Sequence, residues 1–283
     1  PINFEPFILI SVITSGALIP ILLTKRKPPT FKKIESMSLQ EVYISSPFGM
    51  VSSFFYGTIQ SALFTLLAVY AVGMNFSIFQ ISIVTFLLAI SGAVSQWPIG
   101  KLSDMYDRRK VIISVSFAAA FFALCAIFAS GTMYYDGMLG SSKVWFYIFL
   151  ILFSFCSLPM FSLILAHTND FIPKEKFVAA GASLQFTFGL GAMGGPFLCS
   201  IFMNLTNLNG FFVFLMFFHI LIGAYGIYRS RVRPVVTNPD SQFVAMPQSI
   251  TPAGIELNPT TEPIEEPLKT NNILNAEENK NTN

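Results

Sequence analysis

Seven apolar stretches, each about as long as a bilayer is thick, are the feature that most limits how this chain can fold. A helix needs about 20 apolar residues to cross roughly 30 Å of hydrocarbon. The stretches are Pro6–Thr24, Phe48–Met74, Ile78–Ile99, Val111–Ser130, Val144–Ala166, Phe177–Asn204 and Gly210–Arg229. Apart from the terminal Arg229, they contain no Lys or Arg. Because the alternating pattern of a membrane barrel is missing, the sequence predicts an all-α, polytopic membrane protein.

Composition agrees with lipid as the solvent and partner. Charged residues make up 11% of the chain, whereas about a quarter is usual for soluble domains. The three cysteines, Cys125, Cys156 and Cys199, fall inside predicted spans and form no spaced pairs. We therefore expect small packing residues there, with no metal site and no disulfide. No cofactor and no nucleic-acid partner are expected either.

The distribution of Lys and Arg predicts the orientation, because cytoplasmic loops carry the excess. Fourteen of these residues lie in or beside the links that follow the first, third, fifth and seventh stretches. The opposite loops hold one, Lys143. The N-terminus is thus predicted outside and the C-terminal tail in the cytoplasm. Since the chain begins at Pro1 without a positively charged leader, we interpret it as part of a longer protein whose first helix is internal.

Four regions follow from this pattern. Residues 1–24 hold the first helix, residues 25–46 form a cytoplasmic linker, residues 47–233 hold six helices, and residues 234–283 form a tail. In the linker, Phe31–Ser46 mixes apolar and charged residues, which indicates either an interfacial amphipathic helix or a plain polar connection. The tail has two basic and seven acidic residues and one aromatic, Phe243, so it is predicted to be disordered.

The link between the third and fourth stretches reads Gly-Lys-Leu-Ser-Asp-Met-Tyr-Asp-Arg-Arg-Lys from residue 100 to residue 110. It resembles the G-x-L-x-D-x-x-G-R-R-type motif of the major facilitator superfamily. The matching residues are Gly100, Leu102, Asp104, Arg108 and Arg109, whereas Asp107 replaces the usual Gly and Met105 a frequent Arg. The resemblance implies a transporter of two six-helix halves. This chain would hold the sixth helix, the inter-half linker and the C-terminal half, and would need a missing N-terminal half as its partner.

Charge chemistry suggests what this motif could do. Asp104 can meet an arginine or the positive end of a helix, and Arg108 or Arg109 can bind carboxylates through two nitrogens. We expect Arg108 or Arg109 to reach Asp170, forming a cytoplasmic latch that closes in one transport state. The alternative is that these cations serve only as a topology signal.

A second match lies in the sixth stretch, where Gly191, Gly194, Gly195 and Pro196 resemble the superfamily's G-x-x-x-G-P antiporter motif. Small residues allow helices to approach closely, and proline bends them. The residues are predicted to serve either helix packing alone or gating of the central cavity. Three further segments resemble the YcaD-like bacterial branch: Ser46-Pro-Phe-Gly49, Gln96 to Asp104, and Ala166-His-Thr-Asn-Asp170. This resemblance implies a bacterial inner membrane.

Candidate site residues are mostly uncharged, because the spans contain few ionisable groups. His219 is expected to be a packing or lipid-boundary residue, with proton coupling as the alternative. The family plan makes Tyr56, Gln60, Ser157 and Gln185 candidates for lining the cavity. Gln60 is the strongest, because a buried amide in lipid must find partners; bonding between helices is its competing role.

The function hypothesis is a secondary active transporter that moves a small solute by alternating access. The alternative is a non-transporting remnant or membrane partner subunit from a split gene. An enzyme is not expected, since no membrane-embedded catalytic constellation is present. No phosphate-binding G-x-x-x-x-G-K-S/T loop occurs, so direct ATP coupling has no support.

Overall fold

A computed structural model describes residues 4–17, 19, 23, 36–133 and 141–232. It divides the chain into two units, Pro1–Ile34 and Glu35–Asn283. Within the first unit, one helix is described, α1 (Glu5–Gly16). Its 12 residues correspond to about 18 Å, and part of the predicted stretch Pro6–Thr24 lies outside the described residues. The predicted tail and residues 25–35 of the predicted linker also lie outside them.

The described part of the second unit is all-helical, as the sequence predicts. Its helices are α2 (Leu39–Ser45), α3 (Pro47–Gly73), α4 (Ile78–Met105), α5 (Arg108–Met133), α6 (Ser141–Ser157), α7 (Met160–Asn169), α8 (Phe177–Thr206) and α9 (Gly210–Val232), with a 3-10 turn at Lys174–Lys176. Six segments of this part are long and apolar enough to cross a membrane, because α6 and α7 together form one of them, Lys143–Asn169. The predicted polytopic, all-α fold is therefore confirmed, with six spans of membrane length between Pro47 and Val232.

Local sequence explains where several helices begin. Ser77 and Gln80 form a reciprocal capping box at the start of α4, which satisfies two otherwise unpaired backbone N–H groups. Pro47 is the first residue of α3, where its missing N–H costs nothing. In the predicted linker, Ser38 caps α2, which exposes Leu39, Tyr43 and Ile44 and buries Val42. This division agrees with an interfacial helix.

The structure differs from the predicted stretches most clearly in two places. Helix α4 continues to Met105, past Ile99, because an apolar stretch marks the part of a helix that lies in hydrocarbon and not where the helix ends. The predicted stretch Val144–Ala166 is interrupted between Ser157 and Met160. Pro159 explains the interruption, since it has no N–H for the helix ladder.

The six spans are buried to different extents. Helix α3 packs extensively against α8, α5 packs against α6 and α9, and α4 packs mainly against α6. Only 17% of the apolar segment of the α8 span and 28% of that of α4 is buried, compared with 56% for α3. The α4 and α8 spans therefore present the most apolar surface to the surroundings.

Candidate functional site

Arg108, the first residue of α5, is the centre of the charged cluster at one end of the unit. Its Nη1 donates to Asp170 Oδ1 at 2.5 Å and to the Ala166 carbonyl at 3.0 Å, and its Nη2 lies 3.2 Å from Asp104 Oδ1. The side chain of Arg108 is 7% exposed, that of Asp170 9% and that of Asp104 38%. The expected contact between Asp170 and Arg108 is present, whereas its role as a latch stays a prediction.

The Ala166 carbonyl adds a second attraction. It belongs to the last turn of α7, where carbonyl groups carry the negative end of the helix dipole. Arg108 thus binds a carboxylate and a helix C-terminus with one guanidinium group. Because it reaches α4 and α7 from α5, this residue ties three helices together.

The neighbouring residues of the motif have separate roles. Arg109 is 4% exposed, and its Nη1 donates to the Arg229 carbonyl at 3.4 Å, near the end of α9. Asp107 precedes α5, and its Oδ1 accepts from the Arg109 N–H at 3.0 Å. The residue that departs from the family pattern is therefore an N-cap, a role that the sequence interpretation missed. Gly100 is buried on α4, and Leu102 is 41% exposed.

The glycines of the second motif do not all have the same surroundings. A Cβ added to Gly191 would overlap the Phe54 carbonyl of α3, and one added to Gly195 would overlap Ser61 Oγ and the Thr58 carbonyl. A Cβ added to Gly194 would have Leu198 Cδ1, of the same helix, as its nearest atom, 3.9 Å away. Gly191 and Gly195 therefore form the close contact with α3, and Gly194 does not share it.

The contact between α3 and α8 is reciprocal. Gly57 of α3 faces the Phe188 carbonyl as closely as Gly191 faces the Phe54 carbonyl. Two hydroxyl groups add hydrogen bonds across it: Thr58 Oγ1 to the Gly191 carbonyl at 3.1 Å and Ser53 Oγ to the Leu184 carbonyl at 2.8 Å. Gly57 and Ser53 were not among the predicted residues, although their small size was a readable signal. Pro196, which is half-buried, lies inside the continuous helix α8.

Three of the four residues expected to line a cavity lie inside the unit. Tyr56 and Ser157 are fully buried, and Gln60 is 3% exposed. A side chain that lines a cavity between two halves would stand on the surface of one half, so their burial favours an interior role. Gln185 is half-buried. Neither amide atom of Gln60 has a hydrogen-bond partner in the described part of the chain.

His219 is also interior, which rules out the lipid-boundary half of its expected role. It is fully buried, with Nε2 3.1 Å from Ser157 Oγ and Nδ1 2.8 Å from the Leu215 carbonyl. Two serines connect α4 with α6. Ser91 Oγ donates to the Ile151 carbonyl and Ser154 Oγ to the Leu88 carbonyl, both at 2.7 Å.

Metal-binding chemistry finds no support among the described residues. In that part of the chain, no group of three or more His, Cys, Asp or Glu side chains could hold an ion. Cys125, Cys156 and Cys199 are free thiols.

The cluster around Arg108, the close α3–α8 contact and the six spans occur within a region that matches a known family. A family model described as Major Facilitator Superfamily matches residues 5–196 and, in a second overlapping alignment, residues 50–267. The chain belongs to the major facilitator superfamily. The resemblance inferred from residues 100–110 is thereby confirmed at the level of the superfamily, and so is a multi-pass membrane protein.

Two curated members of the superfamily are similar to this one. YfkF of Bacillus subtilis (strain 168), an uncharacterized MFS-type transporter, is 25% identical over 222 residues, which make up 74% of this chain and 52% of YfkF. YE1530 of Yersinia enterocolitica, also an uncharacterized MFS-type transporter, is 23% identical over 157 residues, 56% of this chain and 37% of that protein. The chain thus matches about half of YfkF and less of YE1530. No solved structure matches.

Proposed function

We propose that this superfamily member is the C-terminal half of a secondary active transporter, which moves a small solute by alternating access between two six-helix halves. The observation that carries the proposal is the Arg108 cluster. It joins the ends of α4 and α7 to the start of α5 with a buried ion pair, at the end of the unit that the Lys and Arg distribution assigns to the cytoplasm. A charged cluster of this kind can hold one transport state closed until the ion pair breaks.

The proposed partner is an N-terminal half that covers α4 and α8. These spans have the smallest buried fractions, 28% and 17%, and the relatives are longer than the aligned segments, which make up 52% and 37% of their lengths. In this scheme, residues 1–24 belong to the missing half, residues 25–46 form the linker and residues 234–283 form a cytoplasmic tail. The YcaD-like branch and the bacterial inner membrane remain part of the proposal.

The experiment is to co-express the chain with any membrane segment encoded immediately upstream of it. Met193→Cys on α8, which is 81% exposed, should crosslink to a cysteine on the upstream segment. Ala119→Cys, which is fully buried on α5, is the matched site that should not. Proteoliposomes holding both polypeptides should then accumulate or release at least one solute from a panel.

The second candidate function is a non-transporting membrane partner subunit. The same experiment decides between the two. Crosslinking without transport of any solute in the panel would favour the partner subunit. Failure of both crosslinking and co-purification would overturn the proposed partner.

A further inference from the structure

The span Lys143–Asn169 is broken near its middle. Helix α6 ends at Ser157 and α7 begins at Met160. Because Pro159 has no N–H, the carbonyl four residues earlier, on Phe155, loses its helical hydrogen bond. Within a membrane, such breaks are tolerated where neighbouring helices and side chains satisfy the freed backbone groups. The neighbours of this break therefore indicate how it is held.

Helix α3 supplies the first contact. The Tyr56 hydroxyl donates to the Leu158 carbonyl at 3.2 Å, and the tyrosine is fully buried. Its ring packs beside Phe188 of α8, with ring centroids 6.1 Å apart. The Leu158 carbonyl, at the centre of the break, thus accepts a hydrogen bond from a side chain of another helix.

Helix α9 supplies the second contact through His219. A carbonyl can only accept, so the 2.8 Å contact with Leu215 places the proton of the neutral imidazole on Nδ1. The unprotonated Nε2 then accepts a hydrogen bond from the Ser157 hydroxyl, 3.1 Å away. The Phe153 ring packs edge-on against the imidazole, with centroids 5.5 Å apart. The histidine is therefore fixed in one orientation toward the last residue of α6.

The third contact is with α4, where Gly92 leaves room for the Leu158 side chain. A Cβ added to Gly92 would overlap Leu158 Cδ1, so only glycine lets the leucine of the break seat against α4. The Ser91 and Ser154 hydrogen bonds fix the preceding turns of α6 to the same helix. Beyond the break, every residue of α7 from Met160 to Asn169 is buried.

We infer that Tyr56, Ser157 and His219 are positioning residues that set the bend between α6 and α7. We call these three residues the clamp. Tyr56 is hydrogen-bonded to the Leu158 carbonyl within the break, and His219 is hydrogen-bonded to Ser157 at the end of α6. At its far end, α7 is followed by Asp170, the partner of Arg108. The clamp therefore fixes the point about which α7 would pivot once that ion pair opens. Its use in transport rests on the proposed function, whereas its control of the bend does not.

The experiment measures the bend directly in the full chain in lipid nanodiscs. Spin labels are attached at Trp145→Cys and Glu175→Cys, which are exposed sites before and after the bend, with the three native cysteines replaced. Pulsed electron paramagnetic resonance gives the distribution of distances between the labels. We expect one narrow distribution in the starting protein and a broadened or shifted one in Tyr56→Phe and in Ser157→Ala.

Two controls separate the clamp from general loosening. Ser95→Ala removes a fully buried hydroxyl whose hydrogen bond goes to Gly92 of its own helix, and it should leave the distribution unchanged. Ser157→Thr keeps the hydroxyl group and should restore the narrow distribution. Unchanged distributions in both clamp variants, or equal broadening in Ser95→Ala, would overturn the inference. Because no partner or solute is needed, this result is independent of whether the chain transports.

Discussion

Arg108 and Asp170, 62 positions apart in the sequence, form an ion pair that joins the first residue of α5 to the end of α7. Both side chains are at least nine-tenths buried. Taking two charges out of water is costly, so their mutual attraction and the added Ala166 hydrogen bond must offset the lost hydration. Removal of one partner therefore exposes that cost.

Asp170→Asn is expected to lower the stability of the chain far more than Asp104→Asn. Loss of one partner from a buried pair costs about 3–5 kcal/mol, whereas a partly exposed pair is worth about 0–1 kcal/mol. Thermal unfolding in detergent can be followed with a thiol-reactive dye, because Cys199 is buried. The double variant with Arg108→Gln should recover part of the loss. Equal melting temperatures for the two single variants would show that the pair contributes nothing to stability.

Gly195→Ala should destabilise the chain, and Gly194→Ala should not. The added methyl at Gly195 would overlap α3, whereas the one at Gly194 would meet only its own helix at 3.9 Å. Overpacking of this kind costs roughly 1–3 kcal/mol. Melting temperatures of the two variants, one position apart, provide the test, and equal values would mean that α3 and α8 separate at no cost.

Gln60→Leu is expected to raise the melting temperature. The Gln60 amide is buried and has no partner in the described part of the chain, and such a group costs about 1–3 kcal/mol. A similar apolar side chain removes that cost. If the variant is more stable but transport is lost in the complete transporter, the amide serves function at the expense of stability. A lower melting temperature would indicate that the amide is satisfied in the native protein.

Cysteines at Lys110 and Glu175 should react with a membrane-impermeant maleimide only after cells are opened, and a cysteine at Ile78 should react in intact cells. All three positions are exposed, whereas Arg108 is buried and would be a poor labelling site. The expectation follows from the excess of Lys and Arg on one side. Reaction of the Lys110 site from outside would reverse the predicted topology.

The apolar stretches predicted the helices well, because length and hydropathy are sufficient to identify a membrane span. Helix ends were less predictable, since α4 continues through polar residues to Met105. Pro159 was visible in the sequence, but whether proline breaks or merely bends a span depends on which neighbours satisfy the backbone. Pro196, inside the continuous helix α8, shows the other outcome.

The candidate site was predictable where charge decided the contact. Asp170 and Arg108 are oppositely charged groups at the ends of neighbouring helices, and they meet. Tyr56, Gln60 and Ser157 were placed by the family plan at the level of whole helices, which does not determine the face on which a side chain lies. The burial of His219 was not predictable for the same reason, because it depends on how α9 is rotated against α5 and α3, the helices on which it mainly packs.

The reciprocal placement of Gly57 and Gly191 restricts how α3 and α8 can move against each other. Each glycine faces a carbonyl so closely that a single carbon atom would not fit. A slide of one helical turn along α3 would bring Ser53 or Ser61 to the place of Gly57, and either side chain would collide with the Phe188 carbonyl. The two helices can therefore tilt together, but neither can slide along the other by a helical turn. The same residues of α3 and α8 thus face each other in every state in which the two helices stay in contact.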